Sequence, residues 1–413
     1  MSTSASTPRG PAYEQAVWSW TEHLRAGGTA TWADWVSAGS GADATVPSGW
    51  TAPGAAQLEY LRRLVATGRM EAAALHEVGD LVLGRSGPGR GLAQQPLSWP
   101  GGGGRRFGAP PTDPSGVPAE ELVRVGVGTL TELLLRSPGG DAGTTDVRRR
   151  LFTRAPAFVL VGAPVTVSAV RRSLAAARQA EGGRSPEVVL FAEPLDQALA
   201  QVWSARVQRG AAVRWHAFVG RWAHRVELPP SADLVGLARL WRDRVGAGRV
   251  HVVAAEDFDT ATRTAADVLG LRAGGLSRRR TRSGSVQPRW KDLSPAATDV
   301  ARRVNAVLNV RVSADRGRDL TRELSALLAA GTEPPARLTV PRRFRSWTWD
   351  EACRQAEAIR ADGYPVHGDL DRVVPRFEGV ATRPRQEDVL RVVLDACLAQ
   401  VNTNAHPRRA EQR

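Results

Sequence analysis

The sequence predicts an α/β protein with a parallel sheet, helices on both faces of that sheet, and further helical parts at the N-terminal and C-terminal ends. The first observation is a set of short apolar runs at residues 158–161, 187–191 and 249–253. Each run is long enough for a strand buried on both faces but too short for a helix. The second observation is that helical patterns, with apolar residues three and four positions apart, follow these runs. Strands that alternate with helices in this way favour a parallel sheet.

The composition is typical of a globular protein with two or three domains. The chain has 413 residues, of which 42% are hydrophobic and 24% charged. No run approaches the roughly 18 apolar residues of a membrane span, and the N-terminus lacks the apolar segment of a signal peptide. Cys353 and Cys397 are too few for a disulfide framework or a four-ligand metal site. We therefore expect a cytoplasmic protein without membrane association and without a bound metal.

The net charge of +14 invites comparison with nucleic-acid-binding proteins. However, Lys291 is the only lysine and Ile359 the only isoleucine, whereas arginine, alanine, glycine and valine are abundant. This bias is typical of a GC-rich genome, and the arginines are spread along the chain apart from a cluster at 278–282. The charge by itself therefore does not predict a nucleic-acid partner.

Residues 12–150 are predicted to form a mostly helical N-terminal region with Gly/Pro-rich linkers, after a disordered tail at residues 1–11. The apolar spacing and the helix start signals predict helices from residue 13, from residue 31, and at 55–67, 70–83 and 119–135. This region contains no motif that identifies a family.

Two features of the N-terminal region allow an alternative interpretation as a nucleic-acid-binding module. Tryptophans at positions 18, 20, 32 and 35 form either an aromatic core or a platform on which bases stack. The helix pair at 55–83 has the arrangement of a helix-turn-helix, but Glu71, Glu77 and Asp80 on its second helix would repel phosphate. Plain helical packing is the simpler interpretation of both features.

The rest of the chain is organised around the first strand and the helix that follows it. The run at 158–161 leads into the break Gly162-Ala163-Pro164, and a helical pattern begins near Thr166. The free N–H groups of a first helical turn point at whatever lies in the preceding turn, and the helix dipole favours negative charge there. The sequence therefore predicts an anion-binding turn.

This turn resembles the first motif of the sulfotransferases, glycine–any–proline–lysine–threonine–glycine–threonine–threonine, which binds the 5′-phosphosulfate of the donor PAPS. The chain has the sequence GAPVTVSA there and matches the motif at Gly162, Pro164, Thr166 and the hydroxyl of Ser168. The resemblance implies a P-loop-type α/β fold in which these four residues contact the cofactor.

Further motifs of actinobacterial sulfotransferase-like proteins follow in the same order, over roughly residues 155–400. They are a tryptophan helix, a second tryptophan before an RVHVV strand, a VLGL segment, an RRVNA helix and a G-Y-x-V-x-G-D-L element, matched at Trp203, Trp241, 268–271, 302–306 and 363–370. The resemblance implies a sulfotransferase-like α/β domain with a helical C-terminal part at 151–400, followed by a tail at 401–413.

The resemblance also implies that the donor site has lost positive groups. The motif lysine, which binds the phosphosulfate and stabilises the leaving group, is Val165. The arginine that binds the 3′-phosphate at the end of the second strand corresponds to Glu193, and a carboxylate repels phosphate. PAPS or PAP is therefore expected to bind only if other cations replace the missing charge.

Three arginines are candidates for that replacement. Arg171 lies one turn into the helix, and Arg280 and Arg282 belong to the arginine-rich loop, which falls where relatives bring a loop onto the cofactor. The alternative interpretation of the loop is a solvated charge cluster.

Sulfuryl transfer to a hydroxyl would also require a general base. His216, His224 and His251 are the candidates by their position in the chain. His251 lies in the third predicted strand, where a structural role is the alternative.

The sequence thus favours a sulfotransferase-family protein with an eroded PAPS site, a non-catalytic homologue with a binding or regulatory role. The first alternative is an active sulfotransferase that transfers a sulfuryl group from PAPS to a hydroxyl through the rearranged arginines. The second is nucleic-acid binding through the N-terminal helices. Asp369 and Asp371 are interpreted as parts of a turn and not as metal ligands.

Overall fold

The computed structural model describes six stretches of the chain, which divide into two compact units. The described residues are 10–84 (without 42), 95–100, 110–137, 158–271 (without 178, 180, 184 and 256), 292–330 and 337–411 (without 378 and 379, and with the backbone alone for 405–411). The helical unit comprises Met1–Gly139 and Arg385–Arg413, and the α/β unit comprises Gly140–Pro384. None of the described helices is both long and apolar enough to cross a lipid bilayer.

The helical unit contains six α-helices within its described residues. They are α1 (Pro11–Arg25), α2 (Trp32–Ser37), α3 (Ala55–Ala66), α4 (Ala72–Leu83), α5 (Ala119–Arg136) and the last helix of the chain, α14 (Gln386–Glu411). α1 begins with Pro11, whose missing N–H has no intrahelical partner to lose. α2 begins after Thr31, whose hydroxyl accepts a hydrogen bond from the Asp34 N–H. The helices predicted at 55–67, 70–83 and 119–135 are confirmed.

The core of the helical unit forms where α3, α5 and α14 pack together. Gly126 of α5 permits this packing, because a Cβ atom there would lie 2.7 Å from the Tyr60 ring and 2.8 Å from Val393. The buried Tyr60 hydroxyl lies 3.3 Å from Cys397 Sγ, and burial raises the pKa of the Cys397 thiol to about 12. Cys397 is therefore a core residue, and both cysteines of the chain are free thiols.

The α/β unit contains a four-stranded parallel sheet within its described residues. Its strands are β1 (Phe158–Val161), β2 (Glu187–Ala192), β3 (Val250–Ala254) and β4 (Val366–Gly368), in the spatial order β1-β2-β3-β4. Its helices are α6 (Pro164–Ala176), α7 (Leu195–Val207), α8 (Trp215–Arg225), α9 (Leu234–Val245), α10 (Phe258–Val268), α11 (Pro295–Arg311), α12 (Ala314–Ala329) and α13 (Arg345–Ala361). The predicted α/β class and parallel sheet are confirmed, and β4 is an additional strand.

Both faces of the sheet are covered. Leu160, Val189 and Phe191 point to one face, where they join a buried cluster with residues of α6 and α10. Successive strand residues point to opposite faces, so Val188 and Leu190 point away from this cluster. Both are fully buried, and α9, which contributes no residue to the cluster, packs on β2 and β3. Continuous apolar strands of this kind are typical of a parallel sheet buried on both sides.

The two units divide the chain differently from the predicted regions 12–150 and 151–400. α14 packs on α5 and belongs to the helical unit, although the sequence assigned most of it to the α/β domain. The predicted tail at 401–413 is helical as far as Glu411, and Val401 is only 2% exposed. Of the predicted tail at 1–11, residues 1–9 lie outside the described residues, and α1 already begins at Pro11.

Candidate functional site

The turn between β1 and α6 is tight. Gly162 has a φ of +133°, and a Cβ atom there would lie 3.0 Å from the Phe191 carbonyl oxygen of β2. Glycine adopts this backbone conformation without strain and allows the close approach. Pro164 begins α6, and the preceding Ala163 has no side chain that could cap the helix. The N–H groups of the first turn therefore need an acceptor from elsewhere in the chain.

That acceptor is the side chain of Gln201, on α7. Its Oε1 accepts hydrogen bonds from the backbone N–H groups of Val165 at 3.1 Å and of Thr166 at 3.0 Å. The first residue of the helix is a proline without an N–H, and the Val167 N–H already bonds within the helix at 3.1 Å. A neutral amide oxygen thus lies where an anion binds at a helix N-terminus.

Two further groups orient the Gln201 amide. Its Nε2 donates to Thr166 Oγ1 at 3.1 Å and to Glu193 Oε2 at 2.5 Å. Backbone N–H groups only donate hydrogen bonds, so those of Val165 and Thr166 hold Oε1 at the turn and leave Nε2 to face Glu193. Glu193, Gln201 and the start of α6 therefore form one continuous hydrogen-bond network.

The Glu193 carboxyl group holds its proton more tightly than an ordinary glutamate. Burial raises its pKa from 4.5 to about 7, and the Thr166 hydroxyl and the Gln201 amide offset only part of that effect. Its Oε1 is covered and has no partner in normal hydrogen-bond geometry among the described residues. The negative charge of Asp292 adds to the rise, and burial raises the pKa of Asp292 as well. This environment disfavours additional negative charge.

The cavity beside the turn is too small for a nucleotide. Its volume is about 20 Å³, which is close to the space that a single water molecule requires. The walls come from the turn, from the end of β2 and from neighbouring helices, and they include Glu193 and the buried Gln355. Among the described residues that line it, there is no Arg, Lys or His.

Four predicted cofactor-binding residues belong to the turn and the first turns of α6. Gly162, Pro164 and Thr166 form the turn itself, where Thr166 is engaged by Gln201. Ser168 is 2% exposed, and its Oγ has no hydrogen-bond partner among the described residues. Val165, at the position of the motif lysine, is 4% exposed and packs as an apolar residue. The hydroxyl groups of Thr166 and Ser168 thus face the protein interior.

Among the described residues, none of the predicted arginines contacts the turn. Arg171 is paired with Glu181, with Nε 2.5 Å from Oε2. The other oxygen of Glu181 accepts the backbone N–H of Leu160, at 2.8 Å, on β1. Arg171 therefore neutralises a carboxylate at the edge of the sheet. Arg280 and Arg282 lie outside the described residues.

None of the candidate general bases lines the cavity at the turn. His216 and His224 are exposed on α8. His251 lies on β3 with Nδ1 3.2 Å from His367 Nε2 and with Nε2 3.3 Å from Glu187 Oε2. Burial and the neighbouring His251 lower the pKa of His367. The described residues contain no group of three or more His, Cys, Asp or Glu side chains suited to a metal ion.

The sequence analysis did not identify Gln201, whose side chain accepts the N–H groups of the turn. The available signal was a polar side chain in an apolar stretch of α7, whose neighbours Leu199 and Val202 are buried. A half-buried amide at such a position needs hydrogen-bond partners. The partners lie about 35 residues earlier in the chain, so only the fold identifies them.

Comparisons of the chain with protein-family models, with curated proteins and with solved structures found no match.

Proposed function

We propose that the α/β unit is a sulfotransferase-like domain of the P-loop type whose donor site no longer binds PAPS, and that the protein is a cytoplasmic, non-catalytic binding or regulatory protein. One observation supports this proposal above all. Gln201 Oε1 accepts the N–H groups of Val165 and Thr166, at 3.1 and 3.0 Å. The donors that would bind a phosphate oxygen are satisfied inside the protein.

Gln201 therefore competes with any anion for these two N–H groups. A ligand that takes the N–H groups must displace Gln201 and leave its amide without these partners. It must also leave Glu193 Oε2 without its short hydrogen bond. Each buried polar group that loses its partner costs about 1–3 kcal/mol, which weakens binding by about five- to 150-fold per group.

The charge of Glu193 also opposes the binding of an anion. With a pKa of about 7, Glu193 is roughly half-ionised at neutral pH. A phosphate brought next to it would be repelled unless Glu193 first took up a proton. No lysine or arginine among the described lining residues compensates for this repulsion.

An active sulfotransferase with a rearranged arginine set requires several changes at once. Gln201 would have to leave the turn, and a cavity of about 20 Å³ would have to open for the nucleotide. Arg171 would have to leave Glu181 before it could contribute to that set. None of the three candidate histidines is positioned at this cavity. The non-catalytic interpretation requires none of these rearrangements.

Calorimetric titration of the full chain with PAP tests the proposal. We expect no saturable heat up to about 1 mM ligand, a range that detects any interaction stronger than about −4 kcal/mol. A cooperative thermal unfolding transition of the same sample confirms that the protein is folded. Saturable binding of PAP with a micromolar dissociation constant would overturn the proposal and support the active-enzyme alternative.

A further inference from the structure

The helical unit contains a second cavity, with a volume of about 610 Å³. That volume lies within the range of natural ligand sites. Its lining includes Trp18, Arg25, Pro47, Trp50, Pro53 and Asp80. Trp18 of α1 and Trp50 of the α2–α3 loop form a corner, with ring centroids 5.2 Å apart and planes at 82° to each other. We call this cavity the tryptophan pocket.

The indoles of the tryptophan pocket differ from the other tryptophans of the same unit. The indole N–H groups of Trp20, Trp32 and Trp35 each donate to a protein acceptor, at 3.0, 2.7 and 3.1 Å. Trp18 and Trp50 are half-buried, and their indole N–H groups donate to no acceptor among the described residues. The pocket wall therefore offers aromatic surface together with two available donors.

Arg25 and Asp80 form a charged part of the pocket wall. Arg25 Nη2 lies 2.5 Å from Asp80 Oδ1, and Arg25 Nη1 lies 3.5 Å from Glu22 Oε1. Because carboxylates already occupy this guanidinium group, the two indole N–H groups are the donors that a ligand rich in acceptors would meet.

We propose that the tryptophan pocket binds a proline-rich segment of a partner protein in the polyproline II conformation. Each proline supplies a carbonyl acceptor and no N–H donor, and the carbonyls of a polyproline II helix make no internal hydrogen bonds. Such a segment brings acceptors to the indole N–H groups of Trp18 and Trp50 without adding competing donors. Its pyrrolidine rings pack on the indole faces, as in other aromatic-lined grooves that bind preformed polyproline II segments.

An oligosaccharide is the competing ligand class, because sugar rings also pack on indole faces. Each sugar hydroxyl brings a donor as well as acceptor lone pairs. Asp80 Oδ1 is already paired with Arg25, whereas the indole N–H groups of Trp18 and Trp50 have no partner among the described residues. These two donors favour a ligand that brings carbonyl acceptors alone.

The test is titration of the full chain with decaproline, followed by tryptophan fluorescence and calorimetry. We expect saturable binding that Trp50→Ala weakens at least about tenfold, because a buried indole contact is lost. Trp50→Phe keeps an aromatic ring without the N–H and should weaken binding about threefold, through the lost hydrogen bond. Trp349→Ala is the matched control, since it removes a tryptophan of α13 that is 49% exposed and does not line the pocket. The affinity of Trp349→Ala for decaproline should equal that of the wild type.

Circular dichroism and the thermal midpoint show whether each variant is folded, and Trp50→Phe keeps the test decisive if Trp50→Ala does not fold. Absence of saturable decaproline binding to the wild type overturns the proposal. Equal weakening by the Trp50 variants and by Trp349→Ala also overturns it. Binding of cellohexaose but not decaproline, abolished by Trp50→Ala, would assign the pocket to carbohydrates and reject the peptide ligand.

Discussion

The turn after β1 and the tryptophan pocket both contain N–H donors. These donors are paired inside the protein at the turn, whereas in the pocket they have no partner among the described residues. At the turn, Gln201 satisfies the N–H groups of Val165 and Thr166, and the remaining cavity is about 20 Å³. In the pocket, donors of Trp18 and Trp50 have no described partner, and the cavity is about 610 Å³. The N–H groups at the turn are therefore closed to a ligand, whereas those in the pocket are open to one.

The carboxylates of the two regions differ as well. Glu193 is covered at Oε1, and burial raises its pKa to about 7. Asp80 is 56% exposed and is paired with Arg25. A buried carboxyl group lowers the stability of the folded state when it ionises, whereas an exposed ion pair changes stability little. The comparison thus predicts large energetic effects at the closed turn and small ones in the pocket.

The largest expected effect is that of Glu193→Gln on the pH dependence of stability. Below pH 4.5 the glutamate is protonated in both the folded and the unfolded chain, so the variant and the wild type should be equally stable. As the pH rises from 4.5 to 7, the unfolded chain loses this proton first, and the wild type loses stability. At pH 8 the variant should have an unfolding free energy about 3 kcal/mol higher.

Urea unfolding at pH 4 and pH 8 measures this difference. Asp80→Asn is the control, and its effect should stay within about 0.5 kcal/mol at pH 8 because the ion pair is exposed. Equal stabilities of Glu193→Gln and the wild type at both pH values would show that the Glu193 carboxyl group is not buried at the turn.

The next largest effect is that of Gln201→Ala. The truncation leaves the N–H groups of Val165 and Thr166 without an acceptor, and it should lower the unfolding free energy by about 2 kcal/mol. Gln197→Ala, on the same helix, is the matched control because the Gln197 amide makes only long contacts, 3.4 Å to Asp196 and 3.3 Å to Leu338 O. Its cost should be below about 1 kcal/mol. Equal costs for the two glutamines, measured by urea unfolding at pH 7, would argue against a special role for Gln201.

The smallest effect concerns the backbone of the turn. Gly162→Ala forces a side chain into a conformation with φ of +133° and a 3.0 Å contact with the Phe191 carbonyl oxygen. It should lower the unfolding free energy by about 1–2 kcal/mol. Gly248→Ala, where no atom lies within 4 Å of the added Cβ, should cost no more than about 0.5 kcal/mol. Thermal unfolding curves that shift equally for both variants would contradict the tight turn.

Much of the fold could be predicted because it depends on local patterns. The apolar runs predicted β1, β2 and β3, and the Gly162 break predicted the start of α6. β4 has only three residues, and its conformation depends on pairing with β3, so no local pattern marks it. The packing of α14 on α5 joins segments about 250 residues apart, which periodicity cannot reveal.

The candidate sites could be predicted only in part, for the same reason. The turn residues form a contiguous motif, whereas Gln201 reaches them from another helix. The sequence predicted an aromatic core for tryptophans 18, 20, 32 and 35, and Trp20 and Trp32 are buried as expected. Trp18 instead lines a cavity with Trp50, because residues far apart in the sequence decide which face of α1 is covered.

The backbone amide signals of Val165 and Thr166 in a nuclear magnetic resonance titration with PAP test the central claim most directly. If Gln201 Oε1 is the permanent partner of both N–H groups, neither signal should shift in the wild type up to about 1 mM PAP. A saturable shift of both signals with rising PAP concentration would contradict the account, because it would show that the turn releases Gln201 and binds the anion.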